Sequence, residues 1–133
     1  MSVIGTAYSG MQAGLMRLQA SASNIANAGS TGSTDASASA NGGQRAYQPL
    51  TVEQAEVPGG GTYSRLGTIP NATVIRHDPS SPHADEQGLV AAPDVDLASE
   101  LVDQASAKIA FEANLKVLET GGRTDRTILE LWA

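Results

Sequence analysis

The stretch SVIGTAYSGMQAGLMRLQASASNIANA, residues 2–28, decides the architecture. Ile4, Met11, Leu18 and Ile25 recur at every seventh residue, and Ala7, Leu15 and Ala22 fill the turns between them. A period of about 3.5 residues predicts one helix with one apolar stripe turned toward a partner. The remaining face is Ser, Gln and Asn with a single charge, Arg17, which is little for a helix that meets only water. Gly5, Gly10 and Gly14 weaken an isolated helix by about 1 kcal/mol each and permit another backbone to come close. Packing, rather than intrinsic propensity, is therefore expected to order this helix.

Outward from that helix the character changes in steps. Residues 29–44, GSTGSTDASASANGGQ, are almost all small or polar and predict a flexible loop. In residues 45–77, Tyr47, Leu50, Val52 and Val57 precede the turn signal Pro58-Gly59-Gly60-Gly61, and Leu66, Ile69, Val74 and Ile75 follow it. That pattern predicts a small β-hairpin region with edges at Pro49 and Pro70. Pro79, Pro82 and Pro93 mark residues 78–93 as an extended linker. Residues 94–133 predict a second helical segment with Asp94 and Asp96 at its start, where carboxylates suit free N–H groups and the helix dipole.

The apolar residues of this second helix occupy two sides. Ala98, Leu101, Val102, Ala105 and Ile109 share one, and Phe111, Leu115 and Leu118 lie on roughly the other, so neighbours are expected on both. Gly121-Gly122 predicts a break or kink before a last apolar turn of Ile128, Leu129, Leu131 and Trp132. The fold class is α+β. Residues 1–28 and 94–133 pair as a helical terminal domain, and a small β-rich middle with long loops lies between.

Composition narrows the function. The 133 residues carry a net charge of −6 and no run of Lys or Arg, which argues against a nucleic-acid partner. No apolar run approaches the roughly 20 residues that span a bilayer, so no direct membrane insertion is expected. The N-terminus lacks a basic n-region, and Gln12 and Arg17 interrupt its apolar pattern, so no cleavable signal peptide is expected. Zero cysteines remove disulfides, thiolate metal sites and a Cys nucleophile. Only five residues are aromatic (Tyr8, Tyr47, Tyr63, Phe111 and Trp132), which predicts a small core.

Chemistry is sparse. His77 and His83 with Asp78, Asp85 and Glu86 form the one cluster resembling a metal or acid–base site, but the spacing fits no common zinc pattern. The serines at 30–39 sit in no Gly-x-Ser-x-Gly elbow, and Gly59-Gly60-Gly61 lacks the Lys-Ser/Thr of a phosphate loop. No catalytic residue, metal or cofactor is expected.

Three strings carry a family resemblance. Ser9-Gly10-Met11-Gln12-Ala13 leads through Arg17-Leu18 to Asn24-Ile25-Ala26-Asn27. Phe111-Glu112-Ala113-Asn114 precedes Leu115-Lys116-Val117-Leu118. Residues 78–95 run DPSSPHADEQGLVAAPDV. Together they resemble the bacterial flagellar axial (rod and hook) proteins, whose members carry "NIAN" at the end of the first helix, an aromatic followed by "x-A-N" in the last, and, in a small rod subunit, "DP…HPDAD…GYV…PNV" between. The chain departs from that pattern after Asn27, where Gly29-Ser30-Thr31-Gly32 replaces the usual Thr-Pro-Gly-Tyr, and at Gly121-Gly122.

The resemblance implies a structural rod subunit whose terminal helices pair as an antiparallel coiled-coil-like inner tube domain and polymerise around a central export channel. Its implied partners are other rod subunits, further copies of itself and the flagellar type III export apparatus. Its implied place is the basal-body rod that crosses the periplasm, reached without cleavage of a signal peptide. The expected assembly interface is Ile4, Met11, Leu15, Leu18 and Ile25 on the first helix, with Leu101, Val102, Ile109, Phe111, Leu115 and Leu118 on the second. Asn24, Ile25, Ala26, Asn27, Ala113 and Asn114 are the positions matching family motifs. Two other classes stay open on sequence alone: a secreted helical adaptor or export partner that builds no rod, and a small metal-assisted hydrolase.

Overall fold

A computed structural model describes residues 2–35 and 44–132. Helix α1 spans Val3–Asn27. Ser2 caps it, its hydroxyl oxygen accepting the Gly5 N–H at 3.1 Å. Helix α2 spans Leu97–Trp132. Asp96 caps it, accepting the Ala98 N–H at 3.1 Å and the Ser99 hydroxyl at 2.7 Å. The Ser99 hydroxyl, then the Ala98 N–H, hold the Asp96 carboxyl below its ordinary pKa against partial desolvation. Asp94, the other acidic residue at this boundary, instead donates its N–H to the Ala72 carbonyl at 3.0 Å.

The two helices lie antiparallel: Ile4 meets Gly121, Gly10 meets Asn114, Gly14 meets Ala107 and Phe111, and Ser21 reaches Glu100. The α+β class with paired terminal helices is thus as the sequence predicts. The predicted break at Gly121-Gly122 is absent, because α2 continues helical through both residues to Trp132. A Cβ on Gly121 would sit 3.3 Å from the Ile4 side chain, so this glycine serves the helix contact rather than a turn. Since Ile4 stands at the start of α1, residues 122–132 extend past it, an overhang of about 16 Å at 1.5 Å per residue.

Strands β1 (Leu50–Glu56) and β2 (Thr62–Thr68) form an antiparallel hairpin with Leu50 opposite Thr68 and Glu56 opposite Thr62. Arg65 and Glu53 pair across it. Gly59, Gly60 and Gly61 all have φ between 93° and 102°, a left-handed run that only glycine adopts readily, and the turn closes by Val57 N–H to Gly61 carbonyl at 3.1 Å. The hairpin lies along α1. At one end Ser9 Oγ accepts the Thr62 N–H at 3.0 Å, and at the other Asn24 grips Leu50. Fifteen helical rises from Ser9 to Asn24 cover about 22 Å and six strand rises from Glu56 to Leu50 about 20 Å, so the two lengths match. Ala13 and Ala20 are buried on α1.

Strand β3 (Thr73–His77) pairs antiparallel with β4 (Leu89–Pro93). The extended linker expected over 78–93 is therefore partly a strand, and one of the most deeply buried in the chain: Val90 and Ala92 are fully covered. The physical reason is that β4 is paired on both edges, with Ile75 opposite Ala91 on one side and Gly32 exchanging two backbone bonds with Ala91 on the other, at 2.8 and 2.9 Å. The described part of the predicted flexible loop 29–44 is accordingly tied down at Gly32 and Ser33; the remainder of that loop lies outside the described residues. Residues 78–88 form an ordered connection, with Asp85 accepting the Leu89 and Gln87 N–H groups at 2.8 and 2.9 Å and the Thr34 hydroxyl at 3.2 Å. Among the described residues no helix is long and apolar enough to cross a membrane.

Candidate assembly interface

The seam between the helices is built from small side chains. Glu100, Ala107, Asn114 and Gly121 stand seven residues apart on α2. They face Asn24 and Ser21, Gly14, Gly10 and Ile4 in turn. On α1 the inward set is Ala7, Gly14 and Ser21 with Gly10 and Asn24, again at heptad spacing, and Ala7, Gly14, Ser21 and Asn24 are buried. A Cβ on Gly10 would sit 2.7 Å from the Asn114 side chain, and one on Gly14 would sit 3.3 Å from the Ala107 carbonyl oxygen. Ala107 is the single fully covered residue of α2, at 0% exposure.

The seam ends in a polar hub. Asn24 is 1% exposed. Its Nδ2 donates to the Leu50 carbonyl at 2.9 Å and to Glu100 Oε1 at 2.7 Å, and its Oδ1 accepts the Leu50 N–H at 2.7 Å. The Tyr47 hydroxyl stands 2.9 Å from both Asn24 Oδ1 and Ser23 Oγ, and its one proton serves one of them while the Ser23 hydroxyl can supply the other bond. Ser21 Oγ donates to the Glu100 carbonyl at 2.7 Å. Beside the hub, Arg17 and Asp103 pair at 3.6 Å. One side chain thus satisfies both backbone groups of the first β1 residue and binds α2 as well.

The large apolar residues occupy other faces. Met11, Leu18 and Ile25 are only half-buried, and Leu15 and Tyr8 are exposed. On α2, Phe111 is half-buried and lies against α1 at Gly14, Leu118 is half-buried, and Leu115 lies at the margin. Leu101, Val102 and Ile109 point away from the seam and are 58%, 65% and 67% exposed. The overhang adds Ile128, Leu129, Leu131 and Trp132, the last 87% exposed. Where α1 starts, Val3, Ile4, Val117 and Gly121 line an apolar notch of about 580 Å³. Of the motif positions, Asn24 is the hub. Asn114 fills the space at Gly10 while its Nδ2 donates to the Ala110 carbonyl at 2.8 Å. Asn27 closes α1, its Nδ2 donating to the Ser23 carbonyl at 2.8 Å, and Ala26 and Ala113 are exposed.

Sequence reasoning missed Tyr47 and Glu100 as partners of Asn24. The available signal was an uncharged, amide-bearing residue at a seam position, which in an apolar stripe demands partners of its own. His77 lies on exposed β3 and His83 in the 78–88 connection. Among the described residues no group of three or more His, Asp or Glu side chains is placed to hold a metal ion.

Residues 86–131, which include β4 and nearly all of α2, match the family described as flagellar basal body rod FlgEFG protein C-terminal. The chain is 32% identical over 125 residues to the flagellar basal-body rod protein FlgC of Yersinia enterocolitica, covering 90% of this chain and 88% of that one. It is 33% identical over 129 residues to FlgC of Salmonella typhimurium, with the same coverage. To FlgC of Agrobacterium fabrum it is 34% identical over 118 residues, covering 84% of this chain and 80% of the relative.

Proposed function

Because the chain belongs to the family of flagellar basal-body rod protein FlgC, we propose that it is a structural subunit of the bacterial flagellar rod that polymerises through its two terminal helices around a central export channel. It is a structural protein and not an enzyme. Its partners are other rod components, further copies of itself and the flagellar type III export apparatus. It reaches the basal body with its N-terminus uncleaved.

One observation supports the helical interface most. The helices close on each other mainly with Ala, Gly, Ser and Asn, with Ile4 and Phe111 set against glycines, and they leave Leu15, Leu101, Val102 and Ile109 outside. Fully burying one such Leu, Ile or Val is worth about 1.5–3 kcal/mol, a gain this chain does not realise within itself. The open stripe of α2 is the face opposite α1, and the open flank of α1 carries Met11, Leu15 and Leu18. A subunit with apolar stripes on two outer sides suits a neighbour on each side, which is the requirement of a closed tube. The helical domain of residues 1–28 and 94–133 is then the inner tube, with the hairpin laid against it.

The test is complementation of a strain lacking the gene, scored by rods in electron micrographs. Ile109→Asp and Leu15→Asp should leave a folded monomer, because both side chains already meet water, and should abolish assembly, because a carboxylate would be buried at each contact. His77→Ala and His83→Ala should assemble normally. Rods formed by the two Asp variants, or lost in the histidine variants, would overturn the interface. Sequencing the subunit from isolated basal bodies tests the export claim, and a chain beginning well inside residues 2–28 would refute it.

A further inference from the structure

The hairpin lies along α1, and between Ser9 and Asn24 the buried residues of that helix are all small (Ala13, Gly14, Ala20 and Ser21), too small to interlock with a neighbour and fix one orientation. Orientation then depends on the polar pins at the two ends. The Ser9 pin is a single bond to Thr62, and Ser9 is part-exposed. The Asn24 pin is buried, bonds both backbone groups of Leu50, and continues through Glu100 into α2. We propose that Asn24 is a positioning residue for assembly: its side chain amide sets the angle at which the β1–β2 hairpin is carried on the helix pair, and so the surface the subunit offers to its neighbours.

The chemistry is particular to an amide. Leu50 presents a donor and an acceptor to one side chain, and Glu100 presents an acceptor, so the residue must donate and accept together. Aspartate has the same shape and no donor. At neutral pH, Asn24→Asp would set a carboxylate at the position now 2.7 Å from Glu100 Oε1 and would strip the Leu50 carbonyl of its partner. The other ionisable or charged groups at this recess are Arg17 on α1, already paired with Asp103 of α2, and the Tyr47 hydroxyl; β1 brings Leu50, Thr51 and Val52, none charged. The recess then holds three carboxylates and one guanidinium, so repulsion prevails until one carboxyl is protonated.

The chain has no cysteine, so Gln12→Cys on α1 and Gln54→Cys on β1 accept a pair of spin labels cleanly. The unsubstituted hub should give one narrow distance distribution at every pH tested. Asn24→Asp should give a broad one at about pH 7 that narrows near pH 4, where carboxyl groups take up protons. Asn24→Asp/Glu100→Gln should narrow it at about pH 7, because the new amide donates to the new carboxylate. In cells, Asn24→Asp should be lost from isolated basal bodies and the double variant recovered.

A narrow distribution in Asn24→Asp at neutral pH overturns the positioning role. So does incorporation of Asn24→Asp at the unsubstituted level despite a broad distribution. Should Asn24→Asp unfold the chain, Asn24→Ala decides, with no charge to bury: a broad distribution with helix content retained supports the role, and a narrow one or general unfolding refutes it. The distance measurement on isolated protein does not depend on rod building, so its outcome is separable from the proposed function.

Discussion

Alanine substituted for glycine at two points of these helices should shift stability in opposite directions. A Cβ on Gly122 would meet nothing within 4 Å. Gly122→Ala therefore gains helix propensity alone, about 1 kcal/mol. A Cβ on Gly14 would meet the Ala107 carbonyl oxygen and the Phe111 Cβ, both at 3.3 Å. Neither is the free end of a flexible side chain, so the helices must move apart. Overpacking of this kind costs about 2 kcal/mol, which outweighs the same 1 kcal/mol of propensity and leaves Gly14→Ala about 1 kcal/mol less stable than the parent. The two variants should differ by about 2 kcal/mol, or about 8 °C in Tm for a chain of this size. Thermal and urea melts followed by far-UV circular dichroism, at one dilute concentration so that association does not contribute, measure this directly. If Gly14→Ala is stabilised as much as Gly122→Ala, the close approach of the helices at Gly14 is refuted.

Val102→Asp should change the stability of the dilute monomer by less than about 0.5 kcal/mol, since the side chain is mostly solvated, and urea midpoints check it. Gly32→Ala should cost about 3 kcal/mol, because its Cβ would fall 2.1 Å from the Ala46 backbone nitrogen; loss of the Gly32–Ala91 bridge should appear as fast amide exchange at Ala91. The Asp85 carboxyl is held below its ordinary pKa first by the Leu89 N–H, then by the Gln87 N–H and the Thr34 hydroxyl, against partial desolvation. A depressed folded value means that its stabilisation is complete above the unfolded pKa of about 3.9 and is lost as pH falls through the lower folded value. The stability difference between the parent and Asp85→Asn should therefore shrink between neutral pH and about pH 3, as urea melts at the two pH values would show.

Much of the fold is legible in residue order. The period of residues 2–28 locates α1 to within a residue or two, Pro58-Gly59-Gly60-Gly61 locates the hairpin turn, and Asp96 marks the start of α2. The inward face of α1 is less legible. Ile4, Met11, Leu18 and Ile25 share a seven-residue repeat with Ala7, Gly14 and Ser21, displaced by three residues. Periodicity alone cannot choose between two stripes of one period. Size favours the first, but close backbone approach favours the second, and of the larger set Ile4 meets α2 at Gly121. β4 was hidden for a related reason. Val90-Ala91-Ala92-Pro93 has no alternation because all four residues, and so both faces of the strand, are buried, and the prolines around it read as linker. Gly121-Gly122 reads as a helix stop until Ile4 is seen across from it. The Asn24 hub joins residues separated by 26 and 76 positions, and nothing local in Tyr47 or Glu100 announces it.

A seam of small residues has a further effect on how such a molecule comes apart. The contact inside one chain is shallow, and the larger apolar residues remain available to whatever covers the outer faces. Cohesion between chains can then rival cohesion within one. For a polymer of such subunits, denaturant would not first release intact monomers and later unfold them; dissociation and helix melting would fall in one transition, with a midpoint that rises with protein concentration. A freed subunit would be a labile species, and the durability of the assembly would reside in its contacts rather than in its parts.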